Sequence, residues 1–328
     1  MFNTITDRVT GALALAEEDQ LRPWLQHRLG RDLADRRWRL ERHDASSGFT
    51  KFSPLRWLGG EKSASLIRTT LTMTGMLASG QANTRQIRVA HHEFQIPALP
   101  AAFDGFRLLH LTDLHVDMDP ANLAAVIGTI KPLEYDQCVL TGDYRSRTYG
   151  PVDNAIKGMA LLREALQGEP LAVLGNHDSI RLLPAMEAMG FRLLMNENVC
   201  LSRANEQLCV AGVDDPHHFK THDLEKAYSG IPRDTIRILL CHSPELWRAA
   251  MNSGTDVFLC GHTHGGQICL PGGIPLTLDA DCPRALGNGP WQRQAMQGYT
   301  SPGAGTSVVN VRFNCPPEVT IHTLRALR

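Results

Sequence analysis

From about residue 84 onward, each short apolar run stops abruptly at a polar block, and this repeat constrains the chain more than any other feature. LLHLT runs into Asp113-Leu114-His115, and CVLT into Gly142-Asp143. LAVL runs into Gly175-Asn176-His177-Asp178, ILLC into His242, and VFLC into Gly261-His262-Thr263-His264. Runs of this length, rich in β-branched and apolar residues, read as strands. Helix-like stretches lie between them, such as ANLAAVIGTI behind Pro120, NAIKGMALLREAL, SIRLLPAMEAM and PELWRAAM. Alternation of strand and helix predicts an α/β architecture. Further strands are expected at QIRVAHHEFQI, FRLLM, VCLSR, QLCVAGV, TSVVNVRF and EVTIHTL. Those near the C-terminus have no helix between them, so part of the sheet structure should be antiparallel. The Gly/Pro-rich segment 265–305 is expected to be a long loop region.

Open α/β sheets place ligands at the carboxyl ends of their strands. Five such ends here would carry polar groups to one rim. Asp113 and His115 are two residues apart, as are His262 and His264, so each pair points to one side of an extended strand end. Carboxylates, imidazoles and one amide make an oxygen and nitrogen shell suited to manganese, iron or zinc. Asp113, His115, Asp143, Asn176, His242, His262 and His264 are too many ligands for one tetrahedral ion. They suit two ions that share a bridging carboxylate. The glycines before Asp143, Asn176 and His262 permit sharp exits from the strands.

The ordered blocks DxH, GD, GNHD, H and GHxH resemble those of the calcineurin-like metallophosphoesterases over about residues 100–325. The wording GHTHGGQICLPGG, with the later RFNCPPEVTIHTL, is most similar to the bacterial branch that includes YkuE. The resemblance implies a four-layer sandwich of two mixed β-sheets flanked by helices. It implies that Asp113, His115 and His264 hold a first metal, that Asn176, His242 and His262 hold a second, and that Asp143 bridges them. Manganese is the first expectation for both ions, with iron or zinc as alternatives. It implies also that His177 is no ligand but faces the substrate phosphate. The expected reaction is hydrolysis of a phosphodiester or pyrophosphate bond by a metal-bridging hydroxide. Metal binding lowers the pKa of water from about 15.7 to about 7, and paired ions clamp the attacking and leaving oxygens. His177 would protonate the leaving oxygen or stabilise its charge. Asp178 would either orient His177 or cap the helix that begins at Ser179.

Many members of the family place another acidic residue shortly after GD, where this chain has Tyr144-Arg145-Ser146-Arg147. Arg145 and Arg147 could bind a second phosphate or an acidic head group, because guanidinium matches phosphate bidentately. The opposing reading pairs them with surface carboxylates. The loop VDDPHHF, through Asp214 and Phe219, could border the site, with its histidines expected to face water.

The chain divides into a helical extension, residues 1–83, and a catalytic domain, residues 84–328. Residues 21–60 hold nine Lys/Arg against four Asp/Glu, and three of the five tryptophans: Trp24, Trp38 and Trp57. Such a stretch, with Phe49 and Phe52, could lie on an anionic membrane surface. In the competing reading the aromatics pack on the main domain and the arginines face water. The N-terminus carries acidic residues where a signal peptide needs an apolar core, and segment 63–80 is interrupted by Arg68 and is a poor membrane span. A cytoplasmic location, peripheral to the inner membrane, is therefore expected. UDP-2,3-diacylglucosamine is a candidate substrate there, because superfamily members in lipid A synthesis cut its pyrophosphate at that surface. Cyclic-nucleotide or broad-range phosphodiesterase activity is the alternative. The net charge of −1 argues against a nucleic-acid partner. A scaffold that had lost its metals would show broken ligands, and none is broken. The eight cysteines form no CxxC pair, and several sit in apolar runs, so all are expected as buried, reduced thiols.

Overall fold

A computed structural model describes residues 18–46 and 60–327. Two six-stranded mixed sheets dominate it. The first contains β1 (Arg88–Ile96), β2 (Arg107–Leu111), β3 (Gln137–Leu140), β4 (Leu171–Ala172), β5 (Arg192–Leu193) and β14 (Glu318–Ala326), in the order β1-β14-β2-β3-β4-β5. The second contains β6 (Glu197–Arg203), β7 (Glu206–Gly212), β8 (Arg237–Leu240), β9 (Val257–Cys260), β12 (Gly289–Arg293) and β13 (Met296–Thr300), in the order β12-β13-β9-β8-β7-β6. A short ribbon, β10 (Cys269–Leu270) with β11 (Ile274–Pro275), stands apart from both. Strands β2 to β5 run parallel, as do β7, β8, β9 and β13, while β14 with β2, β6 with β7 and β12 with β13 are antiparallel.

The near-continuous apolar runs are explained by burial on both faces of each central strand. Successive side chains point to opposite faces. Thus Leu108, Val139, Ile238, Leu240, Val257 and Leu259 fill the space between the sheets. Their neighbours Leu109, Leu111, Cys138 and Leu140 face helices Pro120–Ile130 and Asp153–Arg163 on one outside. Leu239, Phe258 and Cys260 face helix Trp247–Asn252 on the other. Helix, sheet, sheet and helix make the four layers. Helix Pro120–Ile130 starts as its sequence dictates, with Asp119 accepting from the Ala121 amide and proline in the first turn.

The N-terminal helices share this core. Leu21, Leu25 and Leu29 recur every four residues on helix Glu18–Leu29, and all three are buried with Ala34 and Trp38 in the layer outside the first sheet. Each such leucine contributes about 1.5–3 kcal/mol on burial. Trp24 packs against the same layer, while Arg22, Arg31, Arg36, Arg39 and Arg42 are exposed. Phe49, Phe52 and Trp57 lie outside the described residues. Among the described residues, no helix is long and apolar enough to cross a membrane.

Three expectations are corrected. TSVVNVRF is an irregular segment rather than a strand, joined to the ribbon by a bridge between Ile268 and Phe313. The stretch 265–305 is not all loop, because residues 289–300 form the hairpin β12–β13. Its turn needs a left-handed residue, which Gln294 supplies at φ 53°. Finally, Cys200 and Cys209 are not free thiols. They oppose each other on β6 and β7 with Cα atoms 4.0 Å apart, and they form a disulfide. The other six cysteines are free.

Candidate metal centre

All five polar blocks leave their strands at one rim, and the backbone turns sharply there. Asp113, His115, Asp143, His262 and His264 all have left-handed φ values, between 40° and 73°. Non-glycine residues avoid this region, and strain of that kind gathers at functional sites. The glycines make room. A Cβ on Gly175 would come within 2.2 Å of Asp143 Oδ1, and one on Gly261 within 2.2 Å of Asp113 Oδ2 and Thr112 Oγ1.

The side chains converge in two groups, Asp113 with His115 and His264, and Asp143 with His242 and His262. Within the first, His115 Nε2 is 3.2 Å from His264 Nε2, and His264 Nε2 is 3.4 Å from Asp113 Oδ1. Beside the second, Asn176 Oδ1 is 2.8 Å from His242 Nε2. Asp143 lies between the groups: its Oδ2 is 3.3 Å from His242 Nε2 and 3.9 Å from His115 Nε2. The backs of two rings are held. His115 Nδ1 donates to the Arg145 carbonyl at 2.7 Å, and His242 Nδ1 to the Thr141 carbonyl at 2.8 Å. Carbonyls only accept, so these bonds turn each Nε2 toward the centre, as outer partners of metal-bound histidines do.

The charge balance suits a cation. His262 Nε2 is buried and has no hydrogen-bond partner among the described residues. Burial pushes His262 and His264 well below the usual imidazole range, so both are neutral donors of lone pairs. Burial opposes ionisation of Asp143, but His242, His177 and His115 around it hold its carboxyl well below the usual range. Burial likewise opposes a proton on His242, yet Asp143 and Asp113 outweigh it and raise the ring to about 10, so an ion bound there would have to displace the Nε2 proton. Burial raises Asp113. Buried carboxylates facing lone-pair nitrogens are the donor set of a divalent cation of intermediate softness. The residues therefore fit two ions.

His177 sits at the edge, partly exposed, with Nδ1 3.1 Å from Thr148 Oγ1 and Nε2 4.0 Å from Asp143 Oδ2. Its amide donates to Asp143 Oδ1 at 2.8 Å. Burial lowers its ring to about 4. Asp178 neither orients His177 nor caps the following turn, which Ser179 caps itself. Its carboxylate accepts from the backbone amides of Asp143, Tyr144 and Gly175 at 2.7, 2.9 and 2.9 Å, and so ties the two ligand-bearing turns together. Arg145 is buried and donates to the carbonyls of His177, Thr148 and Gly150, which braces this loop rather than offering a fork to substrate. Arg147 is exposed, two residues beyond Arg145.

Arg312 has no sequence signal as a site residue, and His217 is expected from sequence to face water. Arg312, inside TSVVNVRF, is fully buried and donates to the carbonyls of Pro302, Gly303 and Gly305. It thereby fixes the loop whose Gly305 amide donates to the Asp113 carbonyl at 2.8 Å. His217, on the VDDPHHF loop, does border the centre. Its ring is 4.2 Å from that of His262, and its Nδ1 donates to Glu245 at 2.8 Å.

Comparison with known proteins agrees with this geometry. Residues 106–266 match the calcineurin-like phosphoesterase family. The uncharacterized metallophosphoesterase YkuE of Bacillus subtilis is 28% identical over 250 residues, covering 73% of this chain and 86% of that protein. A bovine transmembrane protein with a metallophosphoesterase domain is 27% identical over 285 residues, 80% of this chain, which spans 62% of that relative's length. The UDP-2,3-diacylglucosamine pyrophosphatase LpxG of Chlamydia muridarum is 22% identical over 298 residues, 72% of this chain and 88% of that protein. With its ordered blocks, paired sheets and twin ligand groups, the chain carries a calcineurin-like phosphoesterase domain over residues 106–266 and is similar to YkuE.

Proposed function

We propose that the chain is a metal-dependent phosphoester hydrolase that cleaves phosphodiester or pyrophosphate bonds. The observation that carries this reading is the placement of Asp143 Oδ2 between His242 and His115, one from each ligand group. Asp113, His115 and His264 would hold one divalent ion and Asn176, His242 and His262 the other, with Asp143 shared. Two ions so held supply Lewis acidity and bring the pKa of water toward neutrality. Manganese is our first assignment, with iron or zinc accepted by the same donors.

The chain's own residues would do the rest. When the Thr148 hydroxyl donates to Nδ1, the His177 proton sits on Nε2, which lies 4.0 Å from Asp143 Oδ2. From there it can donate to a phosphoryl or leaving oxygen. Exposed Arg147 can reach a further phosphate or acidic group. The pyrophosphatase LpxG supports UDP-2,3-diacylglucosamine as a substrate to try first, with cyclic nucleotides and simple diesters as the alternative. The exposed arginines Arg22, Arg31, Arg39 and Arg42 support contact with an anionic membrane surface, while the packed Trp24 and Trp38 weigh against insertion. On this reading residues 1–83 form a helical extension of a cytoplasmic enzyme at the inner membrane.

A manganese-supplemented panel tests the proposal, with bis-p-nitrophenyl phosphate, p-nitrophenyl phosphate, cyclic nucleotides and UDP-2,3-diacylglucosamine. Silence on every substrate with metal bound would sink it. Asp143→Asn should weaken both metals together, and one ion remaining fully bound would remove Asp143 from the bridge. Co-sedimentation with liposomes containing anionic lipid tests the membrane contact.

A further inference from the structure

We infer that Glu41 and Arg37, on the N-terminal helix Arg31–Ser46, are positioning residues for His177. This rests on the reading of His177 as the group that meets the leaving oxygen. The helix reaches the turn immediately after His177 by two side chains one turn apart. Arg37 Nη2 donates to the Asp178 carbonyl at 2.8 Å. Glu41 accepts from the Ser179 hydroxyl and from the Ile180 amide, the latter at 2.9 Å. Glu41 and Arg37 are themselves paired at 3.3 Å. The same helix grips the other loop at the rim. Arg37 Nε is 3.6 Å from Asp214 Oδ2, its guanidinium lies 3.6 Å from the centre of the Phe219 ring, and Arg36 donates to the Lys220 carbonyl at 2.7 Å.

Arg37 is fully buried, and its Nε and Nη1 have no hydrogen-bond partner among the described residues. Arg37 is ion-paired with Glu41 and Asp214, and buried ion pairs are weak evidence for stability, because packed apolar residues often replace the whole group without loss. Stability alone therefore does not account for Arg37. Its contacts instead span the two loops that carry His177 and His217. A group displaced by about 1 Å from its productive position can lose about a hundredfold in rate. Side-chain anchors on the residues just after His177 are a means of preventing that, because among the described residues the His177 ring is hydrogen-bonded through Thr148 alone, with Asp143 and the His115 ring beside it.

The test uses the full chain loaded with manganese and two aryl methyl phosphodiesters, one releasing p-nitrophenol and one the less acidic phenol. A group that stabilises charge on the leaving oxygen, by hydrogen bond or by proton, matters most for the poorer leaving group. His177→Ala should lose far more kcat on the phenol ester. Glu41→Ala should share that pattern, losing about tenfold on the phenol ester and about twofold on the nitrophenol ester. KM and bound metal should be unchanged, and Glu41→Gln, which keeps an acceptor, should recover most of the rate. In the His177→Ala background, Glu41→Ala should add no further loss. If Glu41→Ala does not fold, Ser179→Ala removes the hydroxyl half of that contact from the loop side and should show the same ester dependence at smaller size. Equal losses on both esters, or losses that add to those of His177→Ala, would overturn the inference. If His177→Ala alone keeps full rate on both esters, the reading of His177 falls and the inference with it, a result distinct from failure at Glu41 only.

Discussion

Asp178→Asn isolates a single physical quantity, because the substitution keeps the shape of the side chain and exchanges one acceptor for a donor. Burial first, and the charge of Asp143 next, push the Asp178 carboxyl up to about 6, which leaves it ionised at neutral pH. Its two oxygens face only N–H groups: Oδ2 accepts from Asp143 and Gly175, and Oδ1 from Tyr144 and, more weakly at 3.4 Å, from Arg145. An asparagine can present its oxygen to one side alone. In its best orientation it keeps the Asp143 and Gly175 amides and turns its NH2 onto the Tyr144 amide. The Tyr144 amide and the new NH2 then lack acceptors at about 1–3 kcal/mol each, beside the weaker loss at the Arg145 amide, so the expected loss is about 2–6 kcal/mol. That is a large share of the roughly 5–15 kcal/mol by which domains are stable. The loss falls on the turn that holds Asp143 in its left-handed conformation. Metal should therefore also stabilise the variant less, by the linkage between ligand binding and unfolding. Urea denaturation followed by circular dichroism, with and without manganese, measures both effects. A variant within about 1 kcal/mol of the parent, with an unchanged gain from metal, would refute the view that Asp178 is a tether for the ligand turns.

Gly261→Ala should drive its Cβ into Asp113 Oδ2 and Thr112 Oγ1, each 2.2 Å away, and so release the ion of the Asp113 group before the other; metal analysis by mass spectrometry reads the ratio. Leu25→Ala should cost about 2–5 kcal/mol in urea, because Leu25 is fully buried beneath the first sheet; a negligible loss would make the N-terminal helix a detachable arm. Removal of metal by a chelator should abolish hydrolysis and lower the melting temperature, and manganese should restore both. Persistent activity in metal-free protein would point to a different chemistry.

The ligand blocks were legible because such ligands must sit at fixed places. Each follows a strand that is apolar on both faces, so the change from Leu-rich run to Asp113, Asp143, Asn176, His242 or His262 is visible in the sequence itself. The hairpin β12–β13 was hidden by Gly289, Pro290 and Gly298, which read as loop, although Gly298 is where Trp291 packs across the pair. TSVVNVRF misled in the other direction. Its apolar alternation imitates a strand, but the segment is held by the Arg312 side chain and by a bond from the Arg312 amide to Gly80. The Cys200–Cys209 bridge depends on the register of two strands, which spacing alone does not reveal. The supports of the site were least legible of all, for a common reason. Asp178, Arg145, Arg312 and Arg37 act on backbone amides and carbonyls of distant residues. Every residue carries those groups, so no side-chain pattern marks the partner. A charged residue destined for such a role looks the same in sequence as one destined for solvent or for substrate. That is why Arg145 reads as a phosphate ligand until its carbonyl partners are seen, and why the N-terminal helix reads as an appendage until Arg37 is found against the turn that carries His177.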